Sequence, residues 1–340
     1  MKDYSGARQV LDLLREKRGS YVSGEILARE LGISRTYVWK CINVLREQGY
    51  AIRSSTNKGY ALDSEPERLD AQSVASFLTR GADCYAPFIK VYNKLPSTNA
   101  EAKQAALDGA PHGTVIIADS QQSGKGRFSR EFFSPPGTGL YMSVLLRPQV
   151  VPAMQSTLIT IGAACAVCDA INACTDGRAG IKWVNDILID GKKVCGILTE
   201  GVADLESGTL GWAVVGIGIN VYEPRCGFPS YLKGKAGALF SHPRDADMRA
   251  RLCADIASRL LSPEFSCDGK KLINAYRQRL CMLGERVMVH SASSEYEAAA
   301  VDIDDNGALV VKKDDGSTHL LAAGEVSLSG IPELSTDNRE

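Results

Sequence analysis

Between residues 23 and 62 the sequence leaves the backbone few options. Ser23 can cap a short helix over residues 24–31, Gly32 supplies a turn, and Ser34 can cap a second helix. On that second helix Val38, Cys41, Ile42 and Leu45 follow helical spacing up to the neighbourhood of Gly49. Ahead of this pair, residues 6–18 place Val10, Leu11, Leu13 and Leu14 on a charged background, a further amphipathic helix. Behind it, residues 51–53 and 59–62 read as two short strands around the polar tip Ser54-Ser55-Thr56-Asn57-Lys58. Helix, helix, glycine, helix and wing in that order are the layout of a winged helix-turn-helix.

The charge distribution agrees with this layout. Residues 1–62 hold eleven Lys and Arg against six Asp and Glu, a net of +5, whereas the 340-residue chain carries a net of −1, so the remainder carries −6. A basic front segment on an acidic remainder points to separate partners, the basic one a polyanion. The second helix supplies the contacts. Opposite its apolar stripe stand Arg35, Thr36, Trp39, Lys40 and Asn43, which with Ser34 can reach phosphates and base edges in a major groove. The competing interpretation is a solvated basic domain for protein contact.

Residues 63–67 (Asp-Ser-Glu-Pro-Glu) break the apolar pattern and read as a linker over 63–68. Beyond it, strand-like runs at 115–118, 140–145, 187–189 and 212–218 mix with helical ones at 100–107 and 157–174, a mixed α/β (α+β) domain over 69–282. Helices are expected over 249–261 and 270–280. From Gly284 short strands alternate with Asn306-Gly307 and Asp315-Gly316 turns, a small β-barrel over 283–334, and residues 335–340 are expected to fray. No apolar stretch approaches a membrane span and no signal-like segment opens the chain, so a soluble cytoplasmic protein is expected. The ten cysteines are scattered, and Cys165 and Cys168 lie within an apolar helical run, which favours reduced core residues over a metal site.

Four polar clusters carry the candidate chemistry. The run 121–130, Gln-Gln-Ser-Gly-Lys-Gly-Arg-Phe-Ser-Arg, puts two glycines among Lys125, Arg127 and Arg130, so its backbone N–H groups and cations can enclose an anion. It lacks the P-loop pattern. Lys182-Trp183-Val184-Asn185-Asp186 enters a strand that turns at 190–193 and returns through 194–198, holding Lys182, Asn185, Asp186 and Lys193 on rigid framework. Asp186 can bind a divalent cation or position an attacking amine, and Lys182 can meet a phosphate. In Gly216-Ile217-Gly218-Ile219-Asn220, which ends the 212–218 run in a Gly-Ile-Asn turn, the glycines permit close backbone approach and Asn220 offers a donor and an acceptor, without the spacing of a dinucleotide fingerprint. Ser97-Thr98-Asn99 supplies two hydroxyls and an amide at a strand end just before a helix starting near Ala100, where capping alone would explain it.

In this order, the four clusters resemble the biotin protein ligases, and with the N-terminal winged domain they resemble the bifunctional ligase and biotin-operon repressor type. The resemblance runs through nearly the whole chain, to a terminal Gly324-Glu325-Val326-Ser327-Leu328. It implies a class II synthetase-like ligase domain and an SH3-like barrel. It also implies a two-step reaction of ATP and biotin with Mg²⁺: formation of biotinyl-AMP, then transfer of biotin to a lysine of a biotin carboxyl carrier protein. By the same resemblance Ser97, Thr98, Asn99 and Gln121 would bind the ureido ring, and Lys125, Gly126 and Arg127 the tail and carboxylate. Lys193 would hold the acyl group. Arg127, Arg130, Phe132, Lys182, Asn185 and Asn220 would bind the adenylate. Arg127, Lys182, Asp186 and Lys193 are the expected catalytic set, with Asp186 the candidate Mg²⁺ ligand. A homodimer on operator DNA, with biotinyl-AMP as corepressor and the dimer surface shared with the carrier-binding face, is also implied.

The chain departs from the family pattern at Lys125, Phe128, Ser129, Phe132 and Val184, where Arg, Arg, Gly, Trp and Pro are usual. Two alternatives remain: a ligand-responsive regulator without catalysis, and a lipoate protein ligase.

Overall fold

A computed structural model describes residues 5–47, 50–64, 67, 69–147, 156–203, 208–262, 265, 269–290, 295–322 and 324–328. The chain divides into two compact units, Met1–Arg68 with Pro243–Met248, and Leu69–His242 with Arg249–Glu340.

In the first unit three helices, α1 (Ser5–Glu16), α2 (Gly24–Leu31) and α3 (Arg35–Glu47), precede the antiparallel strands β1 (Ala51–Ser55) and β2 (Gly59–Ser64). Local chemistry fixes the turns. Ser23 Oγ accepts from the Ile26 N–H at 3.1 Å, and Gly32 at φ 65° ends α2 with its N–H on the Arg29 and Ala28 carbonyls. Ser34 Oγ accepts from the Tyr37 N–H at 3.2 Å. Leu14, Leu27, Val38, Ile42 and Leu45 form a dry core. Arg46 of α3 donates twice to the Ile52 carbonyl, and Val22 and Tyr60 exchange backbone bonds of 2.8 Å, so the wing is tied to α3 and to the segment that leads into α2. A side chain at Gly59, φ 101°, would lie 2.1 Å from the Val22 carbonyl oxygen, which reserves that position for glycine. Asp63 and Ser64, read from sequence as the start of the linker, extend β2, because Asp63 pairs with Arg53 at 2.6 Å. Residues 65, 66 and 68 of the expected linker, and residues 335–340, lie outside the described residues.

The second unit is built on a seven-stranded sheet. Its elements in chain order are α4 (Ala71–Ser76), β3 (Ile89–Tyr92), α5 (Thr98–Leu107), β4 (Val115–Ala118), β5 (Gly139–Leu146), α6 (Ser156–Cys174), β6 (Gly180–Lys182), β7 (Asp186–Ile189), β8 (Lys192–Ala203) and β9 (Leu210–Asn220). The strand order is β3-β4-β5-β9-β8-β7-β6, antiparallel except for β3 beside β4. Alternation assigns the faces. Ala102 and Ala106 of α5 pack on Ile116, Leu145 and Val214. On the opposite face lies α6, whose Thr160 hydroxyl donates to that of Thr199 at 2.8 Å. By length and mean hydropathy (1.6) α6 could cross a membrane, but 67% of that window is buried inside the protein, the signature of a core helix. Helices α7 (Met248–Leu260) and α8 (Gly269–Arg279) follow, and Arg279 grips Asp169 of α6 through two bonds of 2.6 and 2.9 Å.

The chain ends in a five-stranded antiparallel sheet of β10 (Arg286–His290), β11 (Glu295–Ile303), β12 (Leu309–Lys312), β13 (Thr318–Leu321) and β14 (Glu325–Leu328), in the order β13-β12-β11-β10-β14. The expected Asn306-Gly307 and Asp315-Gly316 turns are present, with both glycines at φ 84°. This small β domain touches the large sheet through specific bonds. Trp183 Nε1 donates to the Gly307 carbonyl at 2.9 Å, and the Trp183 N–H meets Met282 Sδ at 3.2 Å.

Candidate active site

The register of the central strands brings the polar clusters to one face. Tyr141 stands opposite Gly218 and Ser143 opposite Gly216, while Gly196 and Leu198 of β8 face the same two glycines from the other side. Residues 216–220 are the last residues of strand β9, which runs two residues past the strand expected over 212–218 and takes in the expected Gly218-Ile219-Asn220 turn. Their glycines serve as a floor. A Cβ on Gly216 would fall 2.0 Å from Asn99 Oδ1, and one on Gly218 would fall 2.6 Å from the Phe132 ring. Glycine here clears space for side chains from above.

Ser97 approaches in extended conformation and caps α5, its Oγ accepting from the Ala100 N–H at 3.4 Å. Thr98 and Asn99, expected before the helix, form its first turn and are buried. Gln121 Oε1 accepts from the Thr98 N–H at 2.8 Å and lies 3.2 Å from its Oγ1, and Gln121 Nε2 donates to Ser134 Oγ at 3.0 Å. The buried Ser143 hydroxyl sits 2.8 Å from Thr98 Oγ1 and 2.6 Å from Asn99 Oδ1. The amide of Asn99 donates to the Leu198 carbonyl at 3.2 Å and to Glu200 Oε2 at 2.8 Å. Lys103 holds the other Glu200 oxygen at 2.7 Å. Burial alone would raise the Glu200 carboxyl, but the hydrogen bonds from Lys103 and Asn99 and the nearby Lys103 and Lys125 charges outweigh it and hold the group below the usual Glu range.

The glycine-rich run folds between β4 and β5. Its base closes through Gly126 N–H to the Arg130 carbonyl at 2.7 Å and Phe132 N–H to the Gly124 carbonyl at 2.8 Å. Phe128 and Ser129 at its tip have φ 56° and 60°, the left-handed region that the usual glycine at position 129 would occupy without strain. Lys125 is exposed, and Gly126 and Arg130 are half-buried. Arg127 reaches inward, Nη1 donating to Asn185 Oδ1 at 3.2 Å and Nη2 to the Gly324 carbonyl at 2.8 Å. The Phe132 ring lies over Gly218 and Gly196 and edge-on to Tyr141, with centroids 6.4 Å apart.

Across the sheet, Asn185 is buried, and its Nδ2 donates to the Ile197 carbonyl at 2.6 Å. Lys193 Nζ and Asp186 Oδ1 form an ion pair of 2.6 Å, and the Lys193 ammonium lies 3.1 Å from where a Cβ on Gly196 would be, beside the Phe132 ring. Asn220 Nδ2 donates to the Gly237 carbonyl at 3.0 Å, and residues 235–237 in turn pair with Lys193. Lys182 stands opposite Asp186 in the β6–β7 register. Ser97, Thr98, Asn99, Gln121, Phe132, Asn185, Lys193 and Asn220 thus border one surface, with Arg127 joining it to the C-terminal domain. A cavity of about 460 Å³, lined by Arg127, Thr160, Trp183, Val184, Thr199 and Leu210 among others, lies toward α6 on the other side of the sheet.

In the head, Arg35, Thr36, Trp39 and Lys40 are exposed and Asn43 is half-buried, with Ser34 engaged as the helix cap. The opposite side of α3 is buried through Val38, Cys41, Ile42 and Leu45.

The comparisons with known proteins follow the same division. Residues 7–61 match the HTH domain, 88–220 the biotin/lipoate A/B protein ligase family, and 282–329 the biotin protein ligase C terminal domain. The bifunctional ligase/repressor BirA of Bacillus subtilis (strain 168) is 32% identical over 322 residues, covering 93% of this chain and 97% of the relative. The chain belongs to the bifunctional ligase/repressor family. The family member of Escherichia coli (strain K12), also named BirA, is 32% identical over 65% of each chain. The biotin protein ligase of Aquifex aeolicus, solved in complex with biotin and ATP, shares the fold with a TM-score of 0.55 at 24% identity, covering 71% of this chain and 97% of that one. Beyond the residues that the family resemblance carries, the structure adds Ser134, Ser143, Gly196 and Glu200 to the site. Gly196 and Glu200 share a face of β8 by even spacing, whereas Ser143 lies on β5 and Ser134 in the loop before it, and spacing within a strand cannot reveal which face a ligand would use.

Proposed function

We propose that this chain joins biotin to a carrier-protein lysine at the expense of ATP, and represses biotin genes through its N-terminal head. One observation carries the catalytic reading. A hydroxyl and amide cluster (Thr98, Gln121, Ser143), an aromatic platform (Phe132) and a paired lysine (Lys193) border a single glycine-floored surface within a chain related over nearly its whole length to a ligase/repressor. In the proposed reaction a carboxylate oxygen of biotin bonds to the ATP α-phosphorus as the bond to pyrophosphate breaks. The carrier amine then attacks the acyl carbon, AMP leaves, and the amine proton passes to solvent.

The first step brings two anions together, so cations must lower their repulsion. Lys125, Gly126 and Arg127 are assigned to the tail and carboxylate, and Ser97, Thr98, Asn99 and Gln121 to the ring. Arg127, Arg130, Phe132, Lys182, Asn185 and Asn220 are assigned to the adenylate. Lys193 holds the acyl oxygen, and its ion pair with Asp186 keeps its ammonium aimed at the Phe132 platform. Among the described residues no three His, Cys, Asp or Glu side chains converge as a metal cage. Asp186, whose Oδ1 carries the Lys193 ion pair, would hold a Mg²⁺ delivered on the triphosphate through its other oxygen, where the ion would neutralise phosphate charge. Ser34, Arg35, Thr36, Trp39, Lys40 and Asn43 form the DNA face. A cytoplasmic homodimer, a biotin carboxyl carrier protein as acceptor, and domain limits of 1–64, 69–282 and 283–334, the first moved from 62 by the length of β2, complete the proposal.

Incubation with biotin, Mg-ATP and a biotin carrier domain is expected to label one carrier lysine. No labelling of a carrier that a known ligase does label would end the proposal. Lipoate in place of biotin is expected to give little product.

A further inference from the structure

We infer that Glu200 is a positioning residue that fixes the hydrogen-bond polarity of the ring-recognition cluster and so makes Thr98 an acceptor. The inference rests on the biotin reading and deepens it.

One chain of side chains passes the direction of each proton to the next. A carboxylate only accepts. Glu200 Oε2 at 2.8 Å therefore requires Asn99 to present its NH₂ group, which also donates to the Leu198 carbonyl, and this turns Asn99 Oδ1 toward Ser143. The Lys103 ion pair keeps the Glu200 carboxyl charged and in place. Asn99 Oδ1 can accept only, so the single hydroxyl proton of Ser143 is committed to that 2.6 Å contact. The Thr98 hydroxyl then has two acceptors in reach, Ser143 Oγ at 2.8 Å and Gln121 Oε1 at 3.2 Å, and the shorter contact, left without a donor by the commitment of Ser143 to Asn99, takes its proton.

With its proton directed at Ser143, Thr98 Oγ1 offers lone pairs, beside a Gln121 Oε1 that is an acceptor already oriented by the Thr98 N–H. Two acceptors side by side suit a ring that presents N–H groups. The ureido ring of biotin does so; the dithiolane ring of lipoate does not. Rotating the Asn99 amide by half a turn would reverse the whole sequence. Its NH₂ would donate to Ser143, Ser143 to Thr98, and the Thr98 proton would point toward Gln121 or the ligand. Gly216 makes the arrangement possible, since any larger residue would collide with Asn99 Oδ1.

The test is biotin-dependent ATP–pyrophosphate exchange by the full chain, with biotin and then ATP varied. Glu200→Gln keeps the side-chain shape but replaces an acceptor-only group with one that can also donate. The biotin KM is expected to rise about tenfold, while kcat and the ATP KM stay within about twofold. Glu200→Asp, shorter but still acceptor-only, is expected to recover part of the loss. An unchanged biotin KM in Glu200→Gln would overturn the role. So would parallel losses in biotin KM, ATP KM and kcat that Glu200→Asp does not relieve, which mark general disruption. Absence of exchange by the wild-type chain is a separate result and removes the ligase reading itself.

Discussion

At the scale of single residues, environment separates groups that composition treats alike. Burial pushes the Cys165 and Cys168 thiols up to about 12 and about 11, and raises Cys195 and Cys253 further. Cys84 and Cys226 are exposed. A thiol reagent at pH 8 is therefore expected to modify Cys84 and Cys226 first and to reach Cys165, Cys168, Cys195 and Cys253 only on unfolding. Mass mapping of the labelled protein checks this order, and early labelling of Cys168 would refute it. Ser129 gives a second test. A non-glycine residue at φ 60° carries backbone strain, so Ser129→Gly is expected to stabilise the protein by up to about 1 kcal/mol in urea denaturation. The core role of Cys165 and Cys168 was legible from their apolar company. Gly216 and Gly218 were legible as points of close backbone approach at the end of a strand, but what presses on them was not, because glycine in sequence does not name its neighbour.

At the scale of elements, periodicity located the helices and strands, while their contacts came from registers that no local pattern encodes. The helix expected over 157–174 is α6 (Ser156–Cys174), and the hairpin expected at 190–193 turns at Asp190 and Gly191, both with positive φ. The partner of the strand-entry segment 183–185 was invisible. Tyr276 of α8, fully buried, donates its hydroxyl to the Val184 carbonyl at 2.9 Å from 92 residues away in the chain. Tyr276→Phe leaves that buried carbonyl without its donor and is expected to cost about 1–3 kcal/mol of unfolding free energy. A denaturation midpoint equal to wild type would show that the bond does not support the segment. On the floor of the site, Gly216→Ala is expected to abolish biotin binding by calorimetry, since the added carbon displaces Asn99.

At the scale of the whole molecule, the two proposed activities belong to different compact units and are expected to separate by mutation. Arg127→Ala should shorten retention of the biotinyl adenylate by about tenfold or more, and any loss of operator binding should be reversed by excess adenylate, since the contacts of the head are untouched. Lys40→Ala should weaken operator binding in a manner that softens its salt dependence, and spare ligation. Equal loss of both activities in each variant would refute the division. The charge asymmetry made this separation legible in sequence.

The bond from Arg127 to the Gly324 carbonyl has a practical corollary for anyone trimming this protein. A fragment ending before residue 283 would keep every residue assigned to ligand binding, yet it would deprive the loop arginine of one anchor and Trp183 of its partner at Gly307. Such a fragment is expected to bind biotin weakly and to leak its activated intermediate. Adding back the small β domain as a separate chain should restore function only at concentrations high enough for the two pieces to reassemble. In that sense the C-terminal domain behaves as a keystone: it carries none of the chemistry, and the arch above it opens when it is withdrawn.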